Sequence, residues 1–246
     1  MEFLVCISKT PDTTAKIAFD AGLTKFVEEG VSFILNPYDE WYALVRAVEL
    51  KEKLGGKVSV VHVGEAGSDQ MIRKALAIGA DQAFRIDCKP KDSYDVAQQI
   101  AEFCKGKSFE LIFLGKETID HNGSEVGAML AGLLDLPFVS YCNKLEVEAD
   151  KINVSREVEG GVELSTVSMP CVVSAAKGLA EQRIPNMKGI MESKNKPLEV
   201  LSPVNTEATI VLEQFELPPA KTGAKMIAPD DIDGLVNVLK NDLKLF

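Results

Sequence analysis

The sequence predicts an α/β fold, in which a doubly wound, mostly parallel sheet carries a β-hairpin insertion and a C-terminal arm. Short apolar runs of strand length alternate with amphipathic segments of helix length over roughly the first 140 residues, which is typical of successive βαβ units. Farther on, two runs of alternating polarity flank the turn signal Glu159-Gly160-Gly161. Of the 246 residues, 46% are hydrophobic and 26% are charged, so the composition is that of a globular protein.

The first predicted unit begins with a buried strand over residues 3–8. Residues 15–36 alternate weakly in polarity, which suggests a hairpin. The clearest helix start is Asn36-Pro37, because Asn is a favoured N-cap residue and Pro is favoured at the first helical position. Acidic residues in the next turn complement the helix dipole, and Gly55-Gly56 is expected to end the helix.

Three further strand–helix units follow at similar spacing. Their predicted strands cover residues 57–64, 82–87 and 109–114, and their helices begin near Ser68, Ser93 and Val126. We expect Gly79 to end the first of these helices. The core-facing residues expected in the last one are Val126, Met129, Leu130 and Leu133. Ligands of such sheets bind beyond the carboxyl ends of the strands, where the strand order reverses.

The second half of the chain is richer in turns and loops. The predicted hairpin pairs residues 144–158 with residues 162–167, and residues 171–175 form one more buried strand. From residue 178 onward the composition is typical of a loop, with a candidate strand over 210–215 and a last helix capped by Asp230-Asp231. We therefore expect an α/β domain over residues 1–193, and a C-terminal arm over residues 194–246 that packs on a partner chain.

The charge balance excludes several classes of function. The chain has 27 Lys and Arg residues against 37 Asp and Glu residues, a net charge of −10, which disfavours binding to nucleic acid or anionic lipid. No apolar run approaches the ~20 residues that span a bilayer, and the first five residues lack the basic region of a signal peptide. We expect a cytoplasmic protein. Five cysteines without a CxxC pair and two separate histidines imply no metal site.

The strongest local signal for a binding site is the polar segment from Gly115 to Gly127, which follows a predicted buried strand and precedes a helix. Gly123 permits a positive φ and Asn122 tolerates one, so successive amides could point at an anion. Asp120 or Glu125 could accept hydrogen bonds from a ribose or an adenine. A plain surface loop is the alternative. The turn over residues 64–67 could also admit a phosphate, although an ordinary tight turn is favoured there. Since no nucleophile lies near a base, the residues favour a binding site without catalytic groups.

Six ordered motifs resemble those of the beta subunits of electron transfer flavoproteins. They are Cys6-Ile7-Ser8-Lys9-Thr10-Pro11-Asp12-Thr13, Asn36-Pro37-Tyr38-Asp39-Glu40, Ala75-Leu76-Ala77-Ile78-Gly79-Ala80-Asp81, the loop at Gly115, Arg156-Glu157-Val158-Glu159-Gly160-Gly161 and Gly189-Ile190-Met191. The resemblance implies a Rossmann-like domain similar to the adenine nucleotide α hydrolases. It also implies an alpha subunit that holds FAD, and a structural AMP in this chain.

The resemblance carries specific roles over to this sequence. The residues that would surround the AMP are Cys6, Asn36, Pro37, Tyr38, Asp39, Val63, Gly115, Lys116, Asp120, Asn122, Gly123, Ser124, Glu125 and Val126. Thr13 and Tyr38 would approach the flavin. Residues 184–193 would form a recognition loop for acyl-CoA or other flavin dehydrogenases, in which Ile184, Met187 and Lys188 contact the partner. Electrons would then pass to a membrane quinone reductase and the respiratory chain, as in fatty acid β-oxidation.

Three readings remain open in the sequence. Members of the family that bifurcate electrons hold a second FAD in the beta subunit and oxidise NADH, and the segment from Asp120 to Met129 matches neither their pattern nor that of the AMP-binding members. A free nucleotide-binding module of the universal-stress type would account for the first 140 residues or so. Where the family reads P-R-Y, this chain reads Gln182-Arg183-Ile184, so the approach to the recognition loop is not fixed by the resemblance. For Met187, the alternative to an exposed anchor is a buried side chain in an irregular loop.

Overall fold

A long mixed sheet forms the centre of the structure, which is a computed structural model that describes residues 1–221 and 223–246. Within those residues nine strands join in one sheet: β1 (Glu2–Cys6), β4 (Lys57–Val63), β5 (Gln82–Ile86), β6 (Leu111–Gly115), β7 (Phe138–Glu148), β8 (Lys151–Val158), β9 (Gly161–Ser168), β10 (Cys171–Ala175) and β11 (Leu198–Leu201). Two more, β2 (Lys9–Pro11) and β3 (Phe33–Leu35), pair antiparallel in a separate small sheet.

The strand order is β11-β5-β4-β1-β6-β10-β7-β8-β9, and the pairs from β11 to β7 are parallel. The pairs β7–β8 and β8–β9 are antiparallel and extend one edge of the sheet. The predicted hairpin is correct in its turn after β8, but its first strand over residues 144–158 is wrong, because a turn at residues 149–150 separates β7 from β8. From β1 the chain crosses to β4 and β5 on one side, and then returns to β6 on the other side. The strand order therefore reverses between β1 and β6. The predicted fold class is confirmed.

Helices cover both faces of the sheet because right-handed crossovers that run in opposite directions place their helices on opposite faces. The helices are α1 (Asp39–Leu54), α2 (Asp69–Ile78), α3 (Ser93–Cys104), α4 (Val126–Leu134), α5 (Met187–Ser193) and α6 (Ile232–Asn237). Residues of α1 and α2 pack with Phe3 and Val5 in one apolar cluster, whereas residues of α3 and α4 pack with Leu4 and Cys6 in the other. The alternation along β1 is the two-residue period of a strand buried on both faces.

Most predicted elements of the first 175 residues are confirmed, but several details are wrong. Helix α1 begins at Asp39, so Asn36 is not its N-cap and Pro37 is not its first residue; Tyr38 holds the N-cap position. The hairpin expected within residues 15–36 is only partly confirmed: a tight turn over residues 20–25 forms, in which the amide of Asp20 donates to the carbonyl of Lys25 at 2.9 Å, but no extended strand lies within residues 15–32, and β3 pairs with β2. Leu133, expected in the core, is 40% exposed. Ser68 does precede α2, yet its side chain makes no capping hydrogen bond.

The region after residue 178 is more ordered than its composition suggests. Residues predicted as loop form the short helix α5, and β11 adds to the sheet edge beside β5. No strand forms over the candidate residues 210–215. Among the described residues, none of the helices is long and apolar enough to cross a membrane. The cytoplasmic location stays a prediction.

The chain divides into two compact units, one with Met1–Ala18 and Phe26–Leu212, the other with Phe19–Lys25 and Glu213–Phe246. The break lies beyond the expected boundary at residue 194 because β11 belongs to the sheet. In the smaller unit, the rings of Phe19 and Phe215 stack with their centroids 4.4 Å apart. Asp231 caps α6 as predicted, since its carboxylate accepts a hydrogen bond from the amide of Gly234. The packing of this arm on a partner chain stays a prediction.

Candidate functional site

The reversal of strand order between β1 and β6 creates a crevice at their carboxyl ends, which is where sheets of this kind bind ligands. Gly115 ends β6 there, and the start of α1 lies against it. A Cβ at Gly115 would lie 2.8 Å from Cγ of Glu40 and 2.9 Å from its backbone nitrogen. Only glycine allows this close approach, so Gly115 fixes the start of α1 over the end of β6.

Asn36 connects the three segments that surround the crevice. Its side chain is fully buried, and its backbone N–H donates to the carbonyl of Ser8 at 2.9 Å. The amide Nδ2 donates to the carbonyl of Glu117 at 3.0 Å, and Oδ1 accepts from the backbone N–H of Ile119 at 3.1 Å. Asn36 therefore does not cap α1; it anchors the loop that follows β6.

Two buried carboxyl groups lie in the first turn of α1. Glu40 accepts a hydrogen bond from the backbone N–H of Ser8 at 2.6 Å, and burial raises the pKa of its side chain to about 8. Burial likewise raises the pKa of Asp39 to about 6, against the opposing effect of the nearby Lys116 ammonium. At neutral pH Glu40 is therefore mostly protonated, and it adds little negative charge beside the crevice.

The loop after β6 has an unusual backbone. Asn122 and Ser124 have positive φ angles of 51° and 54°, and the Asn122 amide donates to the carbonyl of Thr118. The φ angle of Gly123 lies outside the left-handed region, and a Cβ there would meet only the side chain of Glu125 at 3.7 Å. The predicted positive φ is therefore confirmed for Asn122 and wrong for Gly123. Strained non-glycine backbone of this kind is concentrated at functional sites.

Helix α4 begins directly after this loop, and several backbone N–H groups at its start have no hydrogen-bond acceptor among the described residues. Within residues 1–221 and 223–246, no group accepts a hydrogen bond from the backbone amides of residues 123–128; the first amide bonded there is that of Met129, to the carbonyl of Glu125. Glu125 occupies the N-cap position without a side-chain cap. Open amides combined with the positive end of the helix dipole favour an anion such as a phosphate. The amide of Asn122, by contrast, already donates to the carbonyl of Thr118.

The structure brings most of the predicted site residues to this crevice. Cys6 and Val63 end β1 and β4 and are almost fully buried, while Lys116 pairs with Glu117 at 3.3 Å. Tyr38 is 52% exposed and has a φ of 65°, a second strained position at the crevice. Thr13 lies in an exposed turn held by Asp12, and its contact with a flavin stays a prediction.

Sequence reasoning did not select Ser8 or Glu40 as site residues, and it included Glu117 only as part of the segment from Gly115 to Val126. Glu40 carried a usable signal, because it occupies a position on the apolar stripe of α1 that continues through Ala43, Leu44 and Ala47. A charged residue on a stripe of this kind must have a buried partner. Ser8 and Glu117 carried no such signal, since they contribute backbone groups.

In the alternative phosphate turn over residues 64–67, one of the four backbone amides already has a partner, and phosphate binding there stays a prediction. The amide of Gly64 is bonded to the carbonyl of Ile86 in the neighbouring strand. A Cβ at Gly64 would lie 2.2 Å from Nε2 of His62, so glycine is needed there for the packing of that side chain. The ring of His62 bonds to the carbonyl of Ile7 through Nδ1, and burial lowers the pKa of His62 to about 4.

Metal-ligating side chains do not gather in the described part of the chain. No group of three or more His, Cys, Asp or Glu residues there could hold a metal ion. The five cysteines are free thiols, and those at positions 6, 104, 142 and 171 are buried. They behave as small apolar residues in the two core clusters.

A second feature of the larger unit is an exposed apolar segment, residues 184–193, which we call the docking segment. Ile184 is 81% exposed and Met187 is 74% exposed, so the alternative of a buried Met187 is wrong. Met191 is one helical turn from Met187 and is also exposed. Asn186 caps α5 by accepting from the amide of Gly189 at 2.8 Å. The segment thus presents an apolar surface on a locally capped helix; its role toward a partner stays a prediction.

Comparisons with known proteins agree with this architecture. The family model described as "Electron transfer flavoprotein domain" matches residues 23–205. The electron transfer flavoprotein subunit beta of Bacillus subtilis (strain 168) is 36% identical, and the match covers 100% of both chains. The corresponding subunit of Homo sapiens is 33% identical over 94% of this chain and 95% of its own. The caffeyl-CoA reductase-Etf complex subunit CarD of Acetobacterium woodii is 32% identical over 99% of this chain and 98% of its own. This chain therefore belongs to the electron transfer flavoprotein family, as one of its beta subunits.

Proposed function

We propose that this chain pairs with an alpha subunit in a heterodimer that carries electrons from flavin dehydrogenases, such as acyl-CoA dehydrogenases, to the respiratory chain through a membrane quinone reductase. In this proposal the beta subunit holds a structural AMP and the alpha subunit holds most of the FAD. Membership of the family already gives the chain a role in electron transport as part of a flavoprotein. The name subunit beta implies an alpha partner.

The observation that carries the AMP proposal is the array of open amides over residues 123–128 at the reversal of strand order. These donors suit a phosphate, and the residues present fit such a group: of the two buried acids in the first turn of α1, Glu40 is mostly protonated at neutral pH and Asp39 has the Lys116 ammonium nearby. Asn36 fixes the loop that leads to the donors, so their positions exist before the ligand arrives. The exposed polar atoms of Asp120 and Glu125 would accept from the nucleoside part.

In this proposal the chain supplies no acid–base or nucleophilic group to the reaction. FAD would supply the one- and two-electron redox chemistry of the complex. Thr13 and Tyr38 are the residues of this chain that we propose to approach it. Tyr38 suits that role because its ring is half exposed at the rim of the crevice on a constrained backbone.

The alpha subunit is the proposed cover for the smaller unit of this chain. That unit exposes many large apolar side chains, namely Leu217, Met226, Ile232, Leu235, Val236, Leu243, Leu245 and Phe246. A soluble monomer rarely leaves so much apolar surface open, whereas obligate subunits bury it against each other.

A second candidate is a bifurcating complex in which this chain binds another FAD and oxidises NADH. The observation that favours it is the pair Val126-Gly127 at the start of α4, which resembles the bifurcating members at these two positions, whereas Met129 resembles the AMP-binding members. FAD contains the AMP moiety, so the same open amides would suit either ligand.

Nucleotide content separates the two candidates. The heterodimer is purified, denatured, and its released nucleotides are separated and counted per beta chain. We expect one FAD and one AMP. Two FAD molecules and no AMP, together with NADH oxidation, would establish the bifurcating candidate instead. A complex with no nucleotide beyond the FAD of the alpha subunit would refute both proposals for this crevice.

A further inference from the structure

Trp41 lies between the crevice and the docking segment. It is the one tryptophan in the sequence and occupies the first turn of α1, directly after Glu40. Its indole N–H donates to the carbonyl oxygen of Arg183 at 3.2 Å. Arg183 immediately precedes the docking segment. One turn of helix therefore contributes a buried acid to the crevice and a hydrogen-bond donor to the start of the docking segment.

Arg183 is also held by its side chain. Its guanidinium donates two hydrogen bonds to the carboxylate of Glu52, at 2.7 and 2.9 Å. Glu52 follows Trp41 by 11 residues, and at about 100° per residue the two lie within about 20° on the same face of α1. This face thus holds Arg183 at two points, the backbone through Trp41 and the side chain through Glu52.

The far end of the docking segment is fixed by a different helix. A Cβ at Gly189 would lie 2.4 Å from the carbonyl oxygen of Ala77 in α2, so α5 lies directly on α2. Arg73 of α2 donates to the carbonyls of Ser193 and Lys196. Helix α5 is therefore anchored along its length on α2.

A cleft of about 430 Å³ lies against the docking segment, lined by the end of α2, by residues 183–186 and by Lys188, Gly189 and Glu192 of α5. Because this cleft leaves residues 183–186 incompletely packed, the hydrogen bonds between Arg183 and α1 help to hold the first part of the docking segment. The ring of Trp41 is itself oriented by the Lys74 ammonium, which lies 4.6 Å from the ring centroid.

We propose that Trp41 is a positioning residue for electron transfer, which sets through its bond to Arg183 where Ile184 and Met187 are presented to a dehydrogenase. This proposal rests on the proposed docking role of residues 184–193. It adds to that role a residue that lies outside the segment and acts on it through Arg183.

Hydrogen exchange tests the positioning directly. The variant Trp41→Phe keeps an aromatic ring but removes the N–H, and Tyr42→Phe is the matched control in the same turn. In the purified heterodimer we expect Trp41→Phe to speed amide exchange over residues 184–193 by about fivefold, the effect of one lost hydrogen bond of ordinary strength. Exchange over α4 should be unchanged, and the control should match the wild type. Unchanged exchange over residues 184–193 would overturn the proposal.

Kinetics test whether the position of the docking segment affects electron transfer from a dehydrogenase. With an acyl-CoA dehydrogenase that reduces the wild-type heterodimer, Trp41→Phe should raise the KM for the heterodimer about fivefold and leave kcat and reduction by dithionite unchanged. Glu52→Gln, at an exposed position, should raise the KM less. An unchanged KM in Trp41→Phe beside a raised KM in Met187→Ala would overturn the positioning role alone. An unchanged KM in both would overturn the docking role, and the positioning role with it.

Discussion

The crevice and the docking segment are built in opposite ways. Distant segments assemble the crevice: Asn36 bonds to residues more than 80 positions away, and Gly115 accommodates the start of α1. The docking segment is a locally capped helix whose apolar side chains point away from the core. A change in the crevice should therefore lower both stability and nucleotide binding. A change at the tip of the docking segment should affect a partner alone.

The largest expected effect is at Asn36. The substitution Asn36→Ala leaves the carbonyl of Glu117 and the amide of Ile119 without their partner in a buried place, so we expect the free energy of unfolding to fall by about 3 kcal/mol. Urea unfolding measures the change, and AMP content should fall with it. Asn153→Ala, an exposed residue of the hairpin, is the control and should change stability by less than about 0.5 kcal/mol. Equal effects of the two substitutions would mean that Asn36 does not hold the crevice together.

Gly115→Ala should have the next largest effect. The added Cβ meets the backbone of Glu40, which can only move if α1 shifts, and such overpacking destabilises by about 1–3 kcal/mol. Gly123→Ala is the matched control, since its Cβ meets only a flexible side chain at an ordinary distance. Thermal unfolding of the two heterodimers gives the comparison. If Gly123→Ala melts as low as Gly115→Ala, the loop is packed more tightly than its geometry indicates.

The buried acid gives the crevice a dependence on pH. Glu40 has a pKa of about 8 in the folded chain against an ordinary value of 4.5, so the folded state binds more protons than the unfolded state between these values. Stability should therefore fall as pH rises through this window, by up to about 2 kcal/mol from pH 6.5 to 8. His62 has the opposite sign, but its effect is confined to pH values below about 6.5.

The variant Glu40→Gln isolates this effect. A glutamine keeps an oxygen that can accept from the Ser8 amide but does not titrate, so the variant should lose less stability than the wild type between pH 6.5 and 8. Urea midpoints at the two pH values measure the difference. Parallel losses in both proteins would show that another group is responsible.

The smallest effect on stability, and a selective effect on function, is expected at Met187. Because its side chain is mostly exposed, Met187→Ala should leave thermal unfolding and flavin content unchanged. Coupling to an acyl-CoA dehydrogenase should weaken by about 1–2 kcal/mol, roughly tenfold, and Met187→Asp should weaken it more. Val162→Ala, an exposed apolar residue of the hairpin, serves as the control. Dehydrogenase-driven reduction at the wild-type rate in both Met187 variants would exclude this residue as the anchor.

The periodicity and local motifs of the sequence determined much of this protein. Apolar runs predicted the buried strands β1, β4, β6 and β10, and the Gly160-Gly161 turn predicted the β8–β9 hairpin. Asp231 was correctly predicted as a cap because its partner is only three residues away. The motif resemblance identified the family, and it selected most of the residues that meet at the crevice. Apolar runs, turns, caps and motifs each involve residues that are close in the sequence, so they can be recognised without the structure.

Only the tertiary structure decided the rest. Asn36 followed by a proline has the local pattern of a helix start, yet its amide bonds to a loop more than 80 residues away, and the helix begins three residues later. The edge strand β11 exists because β5 offers it a pairing partner, although its four residues carry little pattern of their own. The free donors of residues 123–128 are likewise set by how the loop enters α4. Long-range hydrogen bonds and strand pairing depend on which segments the fold brings together, and no local pattern of residues encodes that.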